Sequence, residues 1–234
     1  MKYKYLLLDA DGTLLNFTLA QQTALTNTFS DHGIPATDEM LELYDKINRE
    51  VWMALERKEL TRSELVQVRF TRLFSKFGVE NIDIGQFNSN YISHLANGFM
   101  LVEGAFELLE KLSVRFPMAI ITNGKASTQY KRLAGAGIDR FFKHIIISEE
   151  LGYEKPDPAF FSKALEICQI TNKEDALIIG DSLTADIGGG IGFGIDTCWY
   201  NPHLLPLPAD IKPTFVVNSL SEIPGILEFN KAAV

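Results

Sequence analysis

Four short apolar runs, each stopped abruptly by polar or acidic residues, most constrain what this chain can fold into. They cover residues 3–8 ahead of Asp9, 118–121 ahead of Thr122, 144–147 ahead of Ser148, and 176–179 ahead of Gly180-Asp181. None alternates polar with apolar residues, so each reads as a strand buried on both faces of a parallel sheet. Residues 197–200 and 214–217 read as two further strands. Helical patterns at 104–114, 126–135, 158–168 and 184–191 fall between them. Strands alternating with helices over 98–234 predict an α/β fold, a doubly wound parallel-sheet core of the Rossmann-like kind.

Residues 17–97 follow another rule. They carry no strand pattern, but Met40, Leu41, Tyr44, Ile47, Val51, Trp52 and Leu55 recur at spacings of three and four. Thr61 and Glu64 form a capping box ahead of Leu65, Val68, Leu73, Phe74 and Phe77, and Gly78 closes that helix. Ile84, Phe87, Tyr91 and Leu95 mark a third helix. The expected organisation is a core of residues 1–16 and 98–234 interrupted by an all-helical domain at 17–97. That insert leaves and rejoins the chain near the end of the first strand, where it can cover whatever lies there.

Bulk properties exclude several classes. The net charge is −8, which argues against binding polymeric nucleic acid, since that needs clustered Lys and Arg. An anionic substrate must therefore be held by local cations. Cys168 and Cys198 lack metal-ligand or redox spacing and read as buried thiols. His32, His94, His144 and His203 are scattered and offer no helical pair for a metal. The apolar run at the N-terminus is too short for a signal peptide, and no stretch approaches the roughly 18 residues that would span a bilayer. A cytoplasmic protein with no membrane partner, a monomer or weak homodimer, is expected.

Ligands of open α/β sheets bind beyond the carboxyl ends of the strands. The first strand ends in Asp9-Ala10-Asp11-Gly12-Thr13, the second in Thr122-Asn123-Gly124, and the fourth in Gly180-Asp181-Ser182 with Asp186 soon after; Lys155-Pro156 lies in the loop beyond the third. Three converging carboxylates repel one another unless a cation compensates them. All-oxygen ligation suits Mg²⁺, which shares its shell readily with phosphate. Lys155 and the Thr122 hydroxyl would supply further phosphate contacts. Singly, each piece has a bland explanation: Asp-x-Asp-Gly and Thr-Asn-Gly as turns, Gly-Asp-Ser as a helix cap. In this order, each near a strand end, they make a site.

The set Asp9-x-Asp11-Gly12-Thr13, Thr122, Lys155 and Gly180-Asp181-x₄-Asp186 resembles the four-motif signature of the haloacid-dehalogenase-like hydrolases, and the 17–97 insert resembles their helical cap. The resemblance implies a phosphatase in which Asp9 attacks phosphorus and Asp11 acts as general acid, then base. It implies Mg²⁺ on the Asp9 carboxylate, the Asp11 backbone carbonyl and Asp181, phosphate on Thr122, Asn123 and Lys155, and support from Asp186. Asp11 also separates the chain from dehalogenases proper, which attack carbon and lack a second aspartate there.

Asn48, Trp52, Arg69-Phe70, Ile147-Ser148-Glu149-Glu150-x-Gly152 and Thr197-Cys198-Trp199-x-Asn201-x-His203 are further similar to pyrimidine 5′-nucleotidases of the YjjG type. That finer resemblance implies a nucleoside monophosphate substrate, with Asn48 and Arg69 as cap contacts to it. Trp52, Phe70, Phe74 and Tyr91 read as cap core, and a solvated helix face is the competing reading for Asn48 and Arg69. Gly188-Gly189-Gly190 and Phe193 depart from the small-residue pattern usual after the last motif, which bears on helix packing. The alternatives are a sugar-phosphate or N-acylneuraminate phosphatase, a phosphoglucomutase, and a non-catalytic phosphate-binding module.

Overall fold

The computed structural model describes residues 2–229; residue 1 and residues 230–234, assigned above to the core, lie outside them. It divides into two compact units, Met1–Phe17 with Phe99–Val234, and Thr18–Gly98.

Among the described residues the larger unit contains six strands: β1 (Tyr5–Leu8), β2 (Met118–Thr122), β3 (His144–Ile147), β4 (Ala176–Gly180), β5 (Asp196–Tyr200) and β6 (Phe215–Val217). They form one sheet in the order β3-β2-β1-β4-β5-β6, and every neighbouring pair is parallel. The chain winds outward from β1 to β3, then crosses back to β4 and outward again. The reversal beside β1 is the switch point at which such sheets bind ligands.

The lack of alternation in the strands has a direct cause. Leu6, Leu8, Met118, Ile120, Leu177 and Ile179 belong to one core, packed with Leu108, Leu109 and Leu112. Leu7, Ala119, Ile121 and Ile178 belong to the other, packed with Phe160, Phe161 and Ala164. Both faces are apolar because both are covered.

Helices α1 (Phe17–Asp31), α2 (Asp38–Glu56), α3 (Arg62–Phe77) and α4 (Ile84–Leu95) build the smaller unit, Phe17 itself counting with the larger. Thr37 caps α2 by accepting from the Met40 N–H. Thr61 and Glu64 close the capping box of α3, which ends at Gly78 with φ 64°. Tyr44, Phe70, Phe74, Phe87 and Tyr91 form a buried ring cluster, with Phe70 and Phe87 5.0 Å apart. Cap core is thus the right reading for Phe70, Phe74 and Tyr91, while Trp52 is half-buried beneath Arg62.

The remaining helices are α5 (Ala105–Ser113), α6 (Ala126–Gly135), α7 (Ser148–Leu151), α8 (Pro158–Cys168), α9 (Gly189–Phe193) and α10 (Ile223–Phe229). The helix expected at 184–191 is broken in two: Leu183–Gly188 is a π-helix and only then does α9 begin. Wide π turns are frequent at functional sites; this one carries Asp186. The glycines that follow have a packing role. A Cβ at Gly189 would fall 2.7 Å from Phe161, and one at Gly190 2.6 Å from Thr197.

Candidate functional site

Asp9 follows the last residue of β1, and its N–H donates to Ile179 O at 2.9 Å, fixing the carboxylate beside β4. Lys155 comes from the loop after α7. Asn123, just beyond β2, holds that loop in place: its Nδ2 donates to Lys155 O at 2.8 Å, and the Lys155 N–H donates to its Oδ1 at 2.9 Å. The lysine is buried, and its Nζ donates to Asp9 Oδ1 at 2.7 Å, Asp186 Oδ1 at 2.6 Å and Ile121 O at 2.8 Å. All three ammonium protons are therefore used.

Asp186 reaches Lys155 because the π turn folds it back: its Oδ2 accepts from the Ser182 N–H at 3.1 Å. Asp181 is oriented by Thr13, whose Oγ1 donates to Oδ1 at 3.1 Å, and by Trp199, whose Nε1 donates to the Asp181 carbonyl at 3.0 Å. Gly12, at φ 88°, makes room for it; a Cβ there would lie 2.4 Å from Asp181 Oδ2.

Carboxylate oxygens of Asp9, Asp181 and Asp186 lie within 4.8 Å of one another. Against them stands one buried ammonium, which leaves two negative charges uncompensated if all three are ionised. Burial, opposed by Lys155 and reinforced by Asp186 and Asp181, raises the Asp9 pKa well above the carboxylate range. Burial and then Asp186 push Asp181 up to about 7, against the Thr13 hydrogen bond. Burial works against the Lys155 ammonium, but Asp186 and Asp9 outweigh it and keep its pKa above the lysine value. Such a cluster takes up either protons or a hard divalent cation, so the donor set fits a magnesium ion.

Asp11 points elsewhere. Its Oδ1 pairs with Arg132 and its Oδ2 accepts from Gln129 Nε2 at 2.6 Å, both from α6. Gln129 Nε2 also donates to Thr122 Oγ1 at 2.8 Å. Sequence reasoning missed Gln129, Arg132 and the role of Thr13. The only signal available for the first two was two polar residues at i and i+3 of a helix that begins just after Thr122-Asn123-Gly124.

The residues of the larger unit named from sequence, Asp9, Asp11, Thr122, Asn123, Lys155, Asp181 and Asp186, thus gather beyond the ends of β1, β2 and β4. Asn48 and Arg69 lie in the helical unit, both buried rather than on a solvated face. Asn48 Nδ2 donates to Gln21 Oε1 at 2.9 Å; Arg69 donates to Asn48 Oδ1 at 3.3 Å and Asn88 Oδ1 at 2.6 Å. Arg69 also lies over the Phe70 and Tyr91 rings, 4.8 and 5.2 Å from their centroids. The hydrogen bonds of these two residues run to one another and to neighbouring amides. His203 is an exposed loop residue.

A parallel sheet whose switch point gathers a buried lysine among aspartates, with a helical insert after its first strand, defines a class of α/β hydrolase. The chain belongs to the haloacid dehalogenase-like hydrolase family, whose model matches residues 6–200. It is 40% identical to the pyrimidine 5′-nucleotidase PynA of Streptococcus pneumoniae, over 98% of this chain and 97% of that one. It is 33% identical to the pyrimidine 5′-nucleotidase YjjG of Escherichia coli, over 97% and 99%. The crystal structure of the HAD-hydrolase YfnB of Bacillus subtilis, bound to magnesium, superposes with a TM-score of 0.93 at 41% identity, covering 97% of this chain and 99% of that one.

Proposed function

We propose that the protein is a magnesium-dependent phosphomonoester hydrolase that works through an aspartyl-phosphate and acts on pyrimidine nucleoside 5′-monophosphates. The observation that carries the chemistry is the Lys155 ammonium held between Asp9 and Asp186. It opposes the rise that burial imposes on the Asp9 pKa and adds positive charge where a phosphoryl group gains negative charge. The full-length likeness to relatives named pyrimidine 5′-nucleotidases supports the substrate.

The Asp9 carboxylate attacks phosphorus as the ester P–O bond breaks, and Asp11 gives its proton to the departing oxygen. Asp11 then takes a proton from water; the water oxygen attacks phosphorus, the Asp9–phosphorus bond breaks, and inorganic phosphate leaves. Thr122 holds a phosphoryl oxygen and Lys155 takes another by exchanging its hydrogen bond to Asp9 for it, while Asn123 keeps Lys155 in register. Asp9, the Asp11 carbonyl and Asp181 would hold the metal, with Asp186 supporting, and bound magnesium would supply charge neutralisation between enzyme and phosphate.

The test is release of inorganic phosphate from p-nitrophenyl phosphate and from uridine monophosphate, with magnesium and with a chelator. Turnover that needs magnesium supports the reading. Absence of turnover with either substrate overturns it.

A further inference from the structure

We propose that Gln129 is a positioning residue that joins the two sides of the reaction centre, making the Thr122 hydroxyl an obligatory donor to the phosphoryl group and holding Asp11 together with Arg132. The inference rests on the phosphohydrolase reading above for its consequence in turnover, but its geometry stands apart from it.

A hydroxyl has one proton and two acceptor positions. At Thr122 Oγ1 both acceptor positions are occupied, by the Gly124 N–H at 3.1 Å and by Gln129 Nε2 at 2.8 Å. Its proton is left to donate. A phosphoryl oxygen accepts only, so the Thr122 hydroxyl is matched to it before substrate arrives. Without Gln129 the hydroxyl could rotate and offer a lone pair to phosphate, which is repulsive.

The same Gln129 nitrogen meets Asp11 Oδ2 at 2.6 Å, while Arg132 takes Oδ1. In its ionised form Asp11 only accepts, and the amide then presents its nitrogen there and not its oxygen. Gln129 is buried, and its Oε1 has no partner among the described residues. A buried acceptor left unsatisfied is costly, which singles out the donor end as the part the fold retains. Gly124 belongs to the same device: a Cβ there would fall 2.1 Å from Gln129 Nε2. The glycine two residues beyond Thr122 clears the path by which Gln129 reaches it.

The experiment is a double-mutant cycle on Thr122→Val and Gln129→Met, read as the Kd of inorganic phosphate with magnesium by calorimetry. It is accompanied by kcat and KM for p-nitrophenyl phosphate and uridine monophosphate, and by Tm. Gln129→Met keeps the side-chain length and removes the donor. It should weaken phosphate about five- to tenfold, the effect of one lost hydrogen bond, and the loss should all but vanish in the Thr122→Val background. Because Asp11 serves the poorer leaving group, kcat should fall further for the nucleotide than for p-nitrophenyl phosphate. Gly124→Ala, which displaces the amide without removing it, should reproduce the phosphate defect and serves if Gln129→Met does not fold. Unchanged phosphate affinity in a folded variant, or losses that add fully across the cycle, would overturn the proposal. Phosphate binding does not require turnover: a coupled cycle in a protein that hydrolyses neither ester would sink the enzyme reading and leave this one standing.

Discussion

Lys155 Nζ donates to Asp9 Oδ1 at 2.7 Å, which sets a buried cation against the residue proposed to attack phosphorus. Removing either partner has different consequences. Lys155→Met leaves Asp9 and Asp186 facing each other without the ammonium, and breaking a buried pair in this way costs about 3–5 kcal/mol. We expect a clear fall in Tm, partly reversed by magnesium, and loss of turnover. A Lys155→Met protein as stable as wild type in chelator would show that the pair is not the stabilising contact inferred here.

Asp9→Asn should retain its fold and lose turnover by about 10³-fold or more, because an amide neither attacks phosphorus nor binds a hard cation well. Asp11→Asn should keep magnesium affinity, since its backbone carbonyl is unchanged, while proton transfer fails; that contribution is about 10²–10⁴-fold. Calorimetric magnesium titration of both variants separates the roles. Equal loss of binding would contradict them.

The parallel core was legible because strands buried on both faces leave short apolar runs without alternation, and the acidic residues were legible because they interrupt those runs. Gly180 before Asp181 was read only as a strand end. Its physical reason is spatial, since a Cβ there would lie 2.3 Å from Asp186 Oδ2. The π turn was invisible because its sequence fits an ordinary helix, and the extra residue is imposed by the Asp186 and Ser182 contacts. Gln129 and Arg132 were missed for a similar reason: a polar residue on a helix reads as solvent-facing until tertiary structure buries it.

The acidic cluster makes a pH prediction. The folded pKa values of Asp9 and Asp181 are raised, so the native state favours their protonated forms. Their contribution to stability is fully present below the unfolded carboxyl value of about 4 and is lost as pH rises through about 7 for Asp181. Without metal, Tm should fall between roughly pH 4 and pH 7 on this account. Magnesium competes with those protons, so the rise in Tm that it produces should be larger at the upper end of that window. A magnesium effect independent of pH would remove the cluster as the binding site.

Arg69 and Asn48 test the finer resemblance. Their hydrogen bonds tie together α1, α2, α3 and α4, so Arg69→Met should strand the Asn48 and Asn88 carbonyls and lower Tm. If these residues order the helical unit, the ratio of kcat/KM between uridine and adenosine monophosphates stays within about twofold of wild type, less than one hydrogen bond contributes. A selective loss of the uridine substrate with unchanged Tm would instead make Arg69 a direct contact.

The substrate itself is the last prediction. Uridine, deoxyuridine and thymidine monophosphates should be cleaved faster than purine monophosphates and hexose phosphates. Thr122, Lys155 and the aspartates meet the phosphoryl group that all these substrates share, so they cannot discriminate among them. Selectivity must come from groups that meet the rest of the molecule. A space fitted to one ring excludes the larger purine by steric clash, and a few donors would recognise the pyrimidine carbonyls. A single clash or hydrogen bond is worth about 1–3 kcal/mol, so the preference should be roughly 10- to 200-fold and not absolute. The decisive measurement is kcat/KM for uridine, thymidine, adenosine and guanosine monophosphates beside glucose 6-phosphate and N-acetylneuraminate 9-phosphate. A sugar phosphate exceeding every nucleotide by about tenfold, the equivalent of one such contact, would refute the nucleotidase assignment and leave the phosphohydrolase chemistry of Asp9 untouched.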